Sequence, residues 1–104
     1  MNLEIKTFKD FYPFYLSEHL NPICRLFHFI GTLVVITLIL LSIILSKNLW
    51  MYSPFFGYSF AWIGHFVFEK NTPATFKYPL YSLLGDFLMF FHLITGKEKF
   101  NSSK

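Results

Sequence analysis

The sequence predicts an all-α fold: an integral membrane helical hairpin with flanking interfacial amphipathic helices, in one domain over residues 1–104. Three observations predict it. Hydrophobic residues make up 54% of the chain and charged residues 14%, against about 25% charged in ordinary soluble domains. Two uncharged runs of 21 residues each follow one another, Leu26 to Ser46 and Asn48 to Phe68. Of the 9 Lys and Arg residues, only Lys47 falls between those runs. A soluble domain this small has too little interior to hide so much apolar surface, whereas lipid accepts it directly.

The elements follow in order. Phe8, Phe11, Tyr12, Tyr15 and Leu16 recur at helical spacing, with Lys6, Lys9, Asp10 and Glu18 off that stripe. Residues 1–20 are therefore expected to lie on the membrane surface as a short helix, bent or interrupted at Pro13. Asn21 is a good N-cap and Pro22 suits a first helical position, which starts a spanning helix over residues 22–46. From 26 to 46, fifteen residues are Leu, Ile, Val or Phe, worth roughly −5 to −9 kcal/mol on an insertion scale. Their run is about 31 Å long, close to the thickness of the hydrocarbon core. A signal peptide is the rival reading, and the 25 residues before the run argue against it.

A second spanning helix is expected over residues 49–69, with Pro54 one turn inside and Asn71 and Pro73 just beyond its end. So short a connection makes the two helices antiparallel neighbours. The remaining cations, among them Lys6, Arg25, Lys70 and Lys97, collect at the other end, so both termini are expected in the cytoplasm. Residues 79–95 read as a further helix, stopped by Gly96. Asp86 at its middle would cost about 2.5–3.5 kcal/mol in a spanning segment, which favours an interfacial or re-entrant helix. Cys24 is the single cysteine, so no internal disulfide exists. Scattered basic residues, with aromatics confined to apolar runs, argue against a nucleic-acid partner.

Candidate chemistry concentrates on histidines. His28 lies third in the first run and His65 fourth from the end of the second, so an antiparallel hairpin sets them at nearly one depth. His19, two residues before the Asn21 cap, lies at the same boundary. Gly57, Ala61, Gly64 and His65 share one face of the second helix, and His28, Gly31, Thr32 and Val35 one face of the first. If these small-residue faces meet, the two rings come together. Glu69 follows His65 by four residues and is placed to share an ion with it or orient its ring. Imidazoles with a carboxylate suit iron, zinc or manganese, and open positions on such a set are typical of Fe(II) centres that activate oxygen. Asp86 is a candidate base. His92 and Glu18 are weaker candidates, and Cys24 reads as a small packing residue. A site at the lipid boundary suits a substrate with a polar head and an acyl tail.

Two stretches also carry a family likeness. Tyr15-Leu-Ser-Glu-His19-Leu-Asn21-Pro22 through His28, and Gly64-His65-Phe-Val-Phe-Glu69-Lys70 through Pro73-Ala74, resemble the small membrane proteins that act as 2-hydroxy-fatty-acid dioxygenases. The fungal member of that family works in degrading phytosphingosine to odd-chain fatty acids. The resemblance implies a membrane oxidoreductase: an Fe(2+)-dependent α-oxidation that shortens a fatty acyl or sphingoid-derived substrate by one carbon. It also implies His19, His28 and His65 as metal ligands, with Glu69 as a ligand or its supporting partner. Alternatives are a haem- or metal-binding membrane protein for electron transfer, with His28 and His65 as axial ligands, or a non-catalytic structural membrane protein. The small-residue faces suit a homodimer.

Overall fold

Four α-helices and no strands make up the described residues, 5–101, of the computed structural model. Residues 1–4 of the expected first helix, and Lys104 of the basic end, lie outside that range.

Helix α1, Phe8–Ser17, begins where the Thr7 side chain accepts the Asp10 N–H. Pro13 sits inside it without ending it. Its aromatic stripe does not face outward as a surface helix would. Phe11 and Tyr15 are buried and, with Ala74, Met89 and Leu93, form the core cluster. Sequence periodicity reveals that a stripe is covered, but not whether lipid or protein covers it.

Helix α2, Pro22–Leu45, starts as the sequence predicts: the Asn21 side chain accepts from Ile23 and Cys24 N–H, and Pro22 follows. It ends in a left-handed residue, Ser46, at φ 53°. Inside the turn the Ser42 hydroxyl accepts the Trp50 N–H. The chain then returns against α2, but not as one helix. Leu49–Tyr52 is 3-10, α3 spans Ser53–Ile63, and Gly64–Glu69 is a π-helical turn. Pro54 explains the first change, because a residue without an N–H belongs at the start of a helix rather than within it. Among the described helices only α2 is long and apolar enough to cross a membrane, with a mean hydropathy of 2.6 over its best window. The small-residue faces do meet. A Cβ on Gly31 would come 2.9 Å from the Phe60 Cβ, one on Gly57 3.1 Å from Val35 Cγ2, and one on Gly64 3.2 Å from Cys24 Sγ. These close approaches draw the hairpin together.

After a short 3-10 turn, Ala74–Phe76, helix α4 runs from Pro79 to Thr95 and stops at Gly96, which has φ 82°. It packs on both α1 and α2, with Phe29 and Phe90 rings stacked 4.7 Å apart. Gly85 is the close approach here. A Cβ at that position would meet the Tyr15 ring at 2.9 Å.

Candidate metal centre

His19 lies in the link between α1 and α2, His28 two turns into α2, and His65 in the π turn. The fold brings all three together. Their ring centroids are 4.4 Å apart for His19 to either neighbour and 4.9 Å for His28 to His65. One ring nitrogen from each lies within 4.8 Å of the other two.

Each ring is fixed from behind by an oxygen acceptor. His19 Nδ1 bonds the Tyr15 carbonyl at 2.6 Å, His28 Nδ1 the Cys24 carbonyl at 2.9 Å, and His65 Nδ1 the Asn71 side-chain oxygen at 2.7 Å. A carbonyl oxygen only accepts, so each Nδ1 carries the proton and each Nε2 keeps its lone pair. The tautomer of His65 follows from Asn71, whose amide nitrogen donates to the Glu18 carbonyl and so turns its oxygen to the ring. His19 Nε2 and His28 Nε2 then stand 3.1 Å apart. Two lone pairs that close repel one another unless a cation lies between them. This donor set fits a divalent metal of the iron, zinc or manganese kind, with the backing oxygens typical of such sites. All three rings are buried, at 1% exposure for His19, 4% for His28 and 2% for His65.

Neighbouring groups tune the centre. The Tyr15 ring stacks on His19 at 4.0 Å and donates its hydroxyl proton to an Asp86 carboxylate oxygen. Burial, then the Asp86 charge, holds the Tyr15 hydroxyl well above its usual range. Burial also pushes His19 well below the ordinary imidazole value, helped by His28 and His65, so its free form is neutral and ready to ligate. Burial raises the Asp86 carboxyl to about 7, against the lowering effect of the Tyr15 hydrogen bond. Arg25 is buried as well. Its Nε donates to the His19 carbonyl at 2.5 Å, and its Nη1 donates to Glu98 Oε1 at 3.1 Å and to the Lys99 carbonyl at 2.7 Å. It thereby ties the segment after α4 to the histidine link.

Two cavities adjoin the rings. The larger, of about 200 Å³, is lined mainly by apolar groups of α2, α3 and α4, including Val35, Gly57, Ala61 and Phe87, with His28 and Asp86 also on its wall. The smaller, of about 10 Å³, is bounded by Tyr15, all three histidines, Ser82 and Asp86. That is near the lower limit for one water molecule, about 10–15 Å³.

Not every expected residue joins the cluster. Glu69 Oε1 accepts the Asn21 N–H at 2.8 Å, so it fastens the start of α2 instead of orienting His65. The four-residue spacing assumed an α-helical turn, and the π turn rotates Glu69 away. Glu18 is half-buried and meets Asn71 at 3.4 Å. His92 bonds the Tyr12 hydroxyl at 2.8 Å, outside the cluster. Cys24 is buried, with its sulfur 3.7 Å from His28 Nδ1 and packed on Gly64. The sequence reading passed over Asn71, Tyr15, Arg25 and Ser82 as site residues. Only Asn71 carried a signal, since a polar side chain just past the second histidine can reach back to it.

A family model described as 2-hydroxy-palmitic acid dioxygenase Mpo1-like matches residues 5–98. The chain belongs to the Mpo1-like family. The Mpo1-like match covers both likeness-bearing stretches, everything between them and all of α1 and α4. It ties the chain to a role related to 2-hydroxy fatty acid dioxygenation. No curated protein and no solved structure matches the chain.

Proposed function

We propose that this chain is an integral membrane dioxygenase that holds Fe(2+) on His19, His28 and His65 and shortens 2-hydroxy fatty acids by one carbon. The observation that carries the reading is the convergence of three imidazoles, each with its Nδ1 tied back and its Nε2 free, beside an apolar cavity. The metal would supply the binding and reduction of oxygen. The stoichiometry is self-contained: a 2-hydroxy acid and O₂ give the acid one carbon shorter, CO₂ and water. The C1–C2 bond breaks, the organic part loses four electrons and O₂ takes up four, so no outside reductant enters.

This chain's residues take the remaining tasks. The acyl tail lies in the larger cavity between α2 and α3, and its head points at His28 and Asp86. Asp86, paired with Tyr15, takes up the proton of the substrate hydroxyl. Glu69 contributes by clamping Asn21, which holds His19 and His28 in register.

The same reading places α2 and the helical run through α3 across the bilayer, with both termini cytoplasmic and α4 at the boundary. Only 22% of the most apolar window of α2 is buried, unlike the core helix of a soluble protein. The haem alternative has less support, because the His19 ring sits against both other rings and leaves no plane for a porphyrin between them. The homodimer loses its argument too, since the small residues pack within the hairpin.

The test is purification without oxygen, loading with Fe(2+), and exposure to 2-hydroxy-palmitic acid and O₂. One iron per chain and a product one carbon shorter are expected. Full activity in His65→Ala would overturn the assignment.

A further inference from the structure

The small chamber beside the histidines has one wall that no role yet explains. Ser82 is 3% exposed, and its hydroxyl has no hydrogen-bond partner among the described residues. That is unusual for a serine in a helix. Such a hydroxyl ordinarily bonds the carbonyl one turn earlier. Here the Tyr78 carbonyl takes the Ser82 N–H at 2.8 Å, and Oγ takes nothing. A buried hydroxyl left unpaired costs about 1–3 kcal/mol, so a satisfied state is expected to exist.

Its position says what satisfies it. Ser82 lies one turn before Asp86, and both line the chamber that the three rings share. The other fully buried donors there are committed, the Nδ1 protons to their oxygens and the Tyr15 hydroxyl to Asp86, while Thr75 on the same wall is only partly buried. The free Nε2 lone pairs accept but do not donate. Ser82 therefore offers an uncommitted donor at this point. The chamber adjoins the apolar cavity at His28, Ala61 and Asp86, which line both. The chamber admits about one polar atom, so an amphiphile lying in the cavity would reach the Ser82 hydroxyl with a single head-group oxygen.

We infer that Ser82 is a substrate-binding residue whose hydroxyl donates to an oxygen of a 2-hydroxycarboxylate head group at the histidine centre. The inference rests on the function proposed above and adds a residue to it. Ser82→Ala removes the donor while deleting a single atom, and Ser82→Thr keeps it.

The experiment uses full-length protein in detergent, loaded with Co(2+), whose visible absorption reports on ligands entering the site. Wild type, Ser82→Ala and Ser82→Thr are titrated with 2-hydroxydecanoate and with decanoate. Ser82→Ala should keep the cobalt stoichiometry, melt no lower than wild type, and bind 2-hydroxydecanoate about tenfold more weakly. Ser82→Thr should stay within about twofold of wild type. Equal weakening for both acids assigns the hydroxyl to the carboxylate; weakening for the hydroxy acid alone assigns it to the 2-hydroxyl. Unchanged affinities in Ser82→Ala overturn the inference with the metal reading intact. A wild type that takes up no cobalt overturns the metal reading, and Ser82 with it, before any acid is added.

Discussion

The two halves of α2 share a helix and almost nothing else. Cys24, Arg25, His28, Gly31 and Thr32 are all buried in its first half, whereas Ser42 alone is buried in the rest. The first half is covered by α3, the π turn and α4, and of the polar groups it hides Arg25 and His28 have named partners. The second half presents Ile39, Leu40, Ile43 and Ile44 outward, and across the turn so do Met51, Tyr52 and Phe55. One half is built by specific contacts, and the other by an apolar character that any apolar side chain would supply. Substitutions should therefore be judged by which half they touch.

The sharpest test of this contrast is Arg25→Ala. It removes a buried guanidinium with three hydrogen bonds, to the His19 and Lys99 carbonyls and to a partly exposed Glu98, and losing these costs about 2–4 kcal/mol. Unfolding of the purified protein in detergent should record a loss of that size, and a loss near zero would break the comparison. Gly85→Ala comes next. Its new Cβ would press on a Tyr15 ring held between His19 and Asp86, and overpacking of this sort costs about 1–3 kcal/mol. Thermal melts and metal content measured together should show the two falling in step.

Asp86→Asn probes the same half through pH. The folded carboxyl titrates near 7 and the unfolded one near 3.8, so between these values the unfolded chain has released a proton that the folded chain keeps. The stabilisation is fully present below about pH 4 and is lost as pH rises to about 7. Relative to Asp86→Asn, wild type should lose stability across that window and run parallel to it above. Asp86 is half-buried and faces the cavity, so a fall of about 1–2 kcal/mol is expected, less than the full shift would give. Parallel curves from pH 4 to 7 would show that the carboxyl is ionised throughout. The smallest effect belongs to the distal half. Ile44 is 73% exposed, and Ile44→Ala should change detergent stability by less than about 0.5 kcal/mol. A large loss there would mean that the distal half has contacts of its own.

How far the sequence could be read follows the same division. The Asn21-Pro22 start, the Gly96 stop and the apolar length of α2 are local signals, and they placed helix ends within a residue or two of the structure. The nearness of His19, His28 and His65 was legible because a tight hairpin fixes relative depth, whatever the details of packing. The position of Glu69, bonded to Asn21, was not legible, because a π turn breaks the four-residue rule and no pattern in Gly64 to Glu69 announces one. The burial of α1 against α4 was not visible either. Tyr15 meets Asp86 across 71 positions, and an aromatic stripe looks alike whether it faces lipid or protein. Ser82 was silent for a similar reason, since an orphaned hydroxyl is a property of the assembled chamber.

The sealing of the histidine rings bears on kinetics. If the three rings hold an ion as proposed, their near-complete burial leaves a chelator no direct approach to it. The way in runs along the apolar cavity at His28, and a bulky chelator would have to wait for α1 and α4 to part. Removal of the ion should then be slow, paced by the motions of the chain more than by the strength of the chelator.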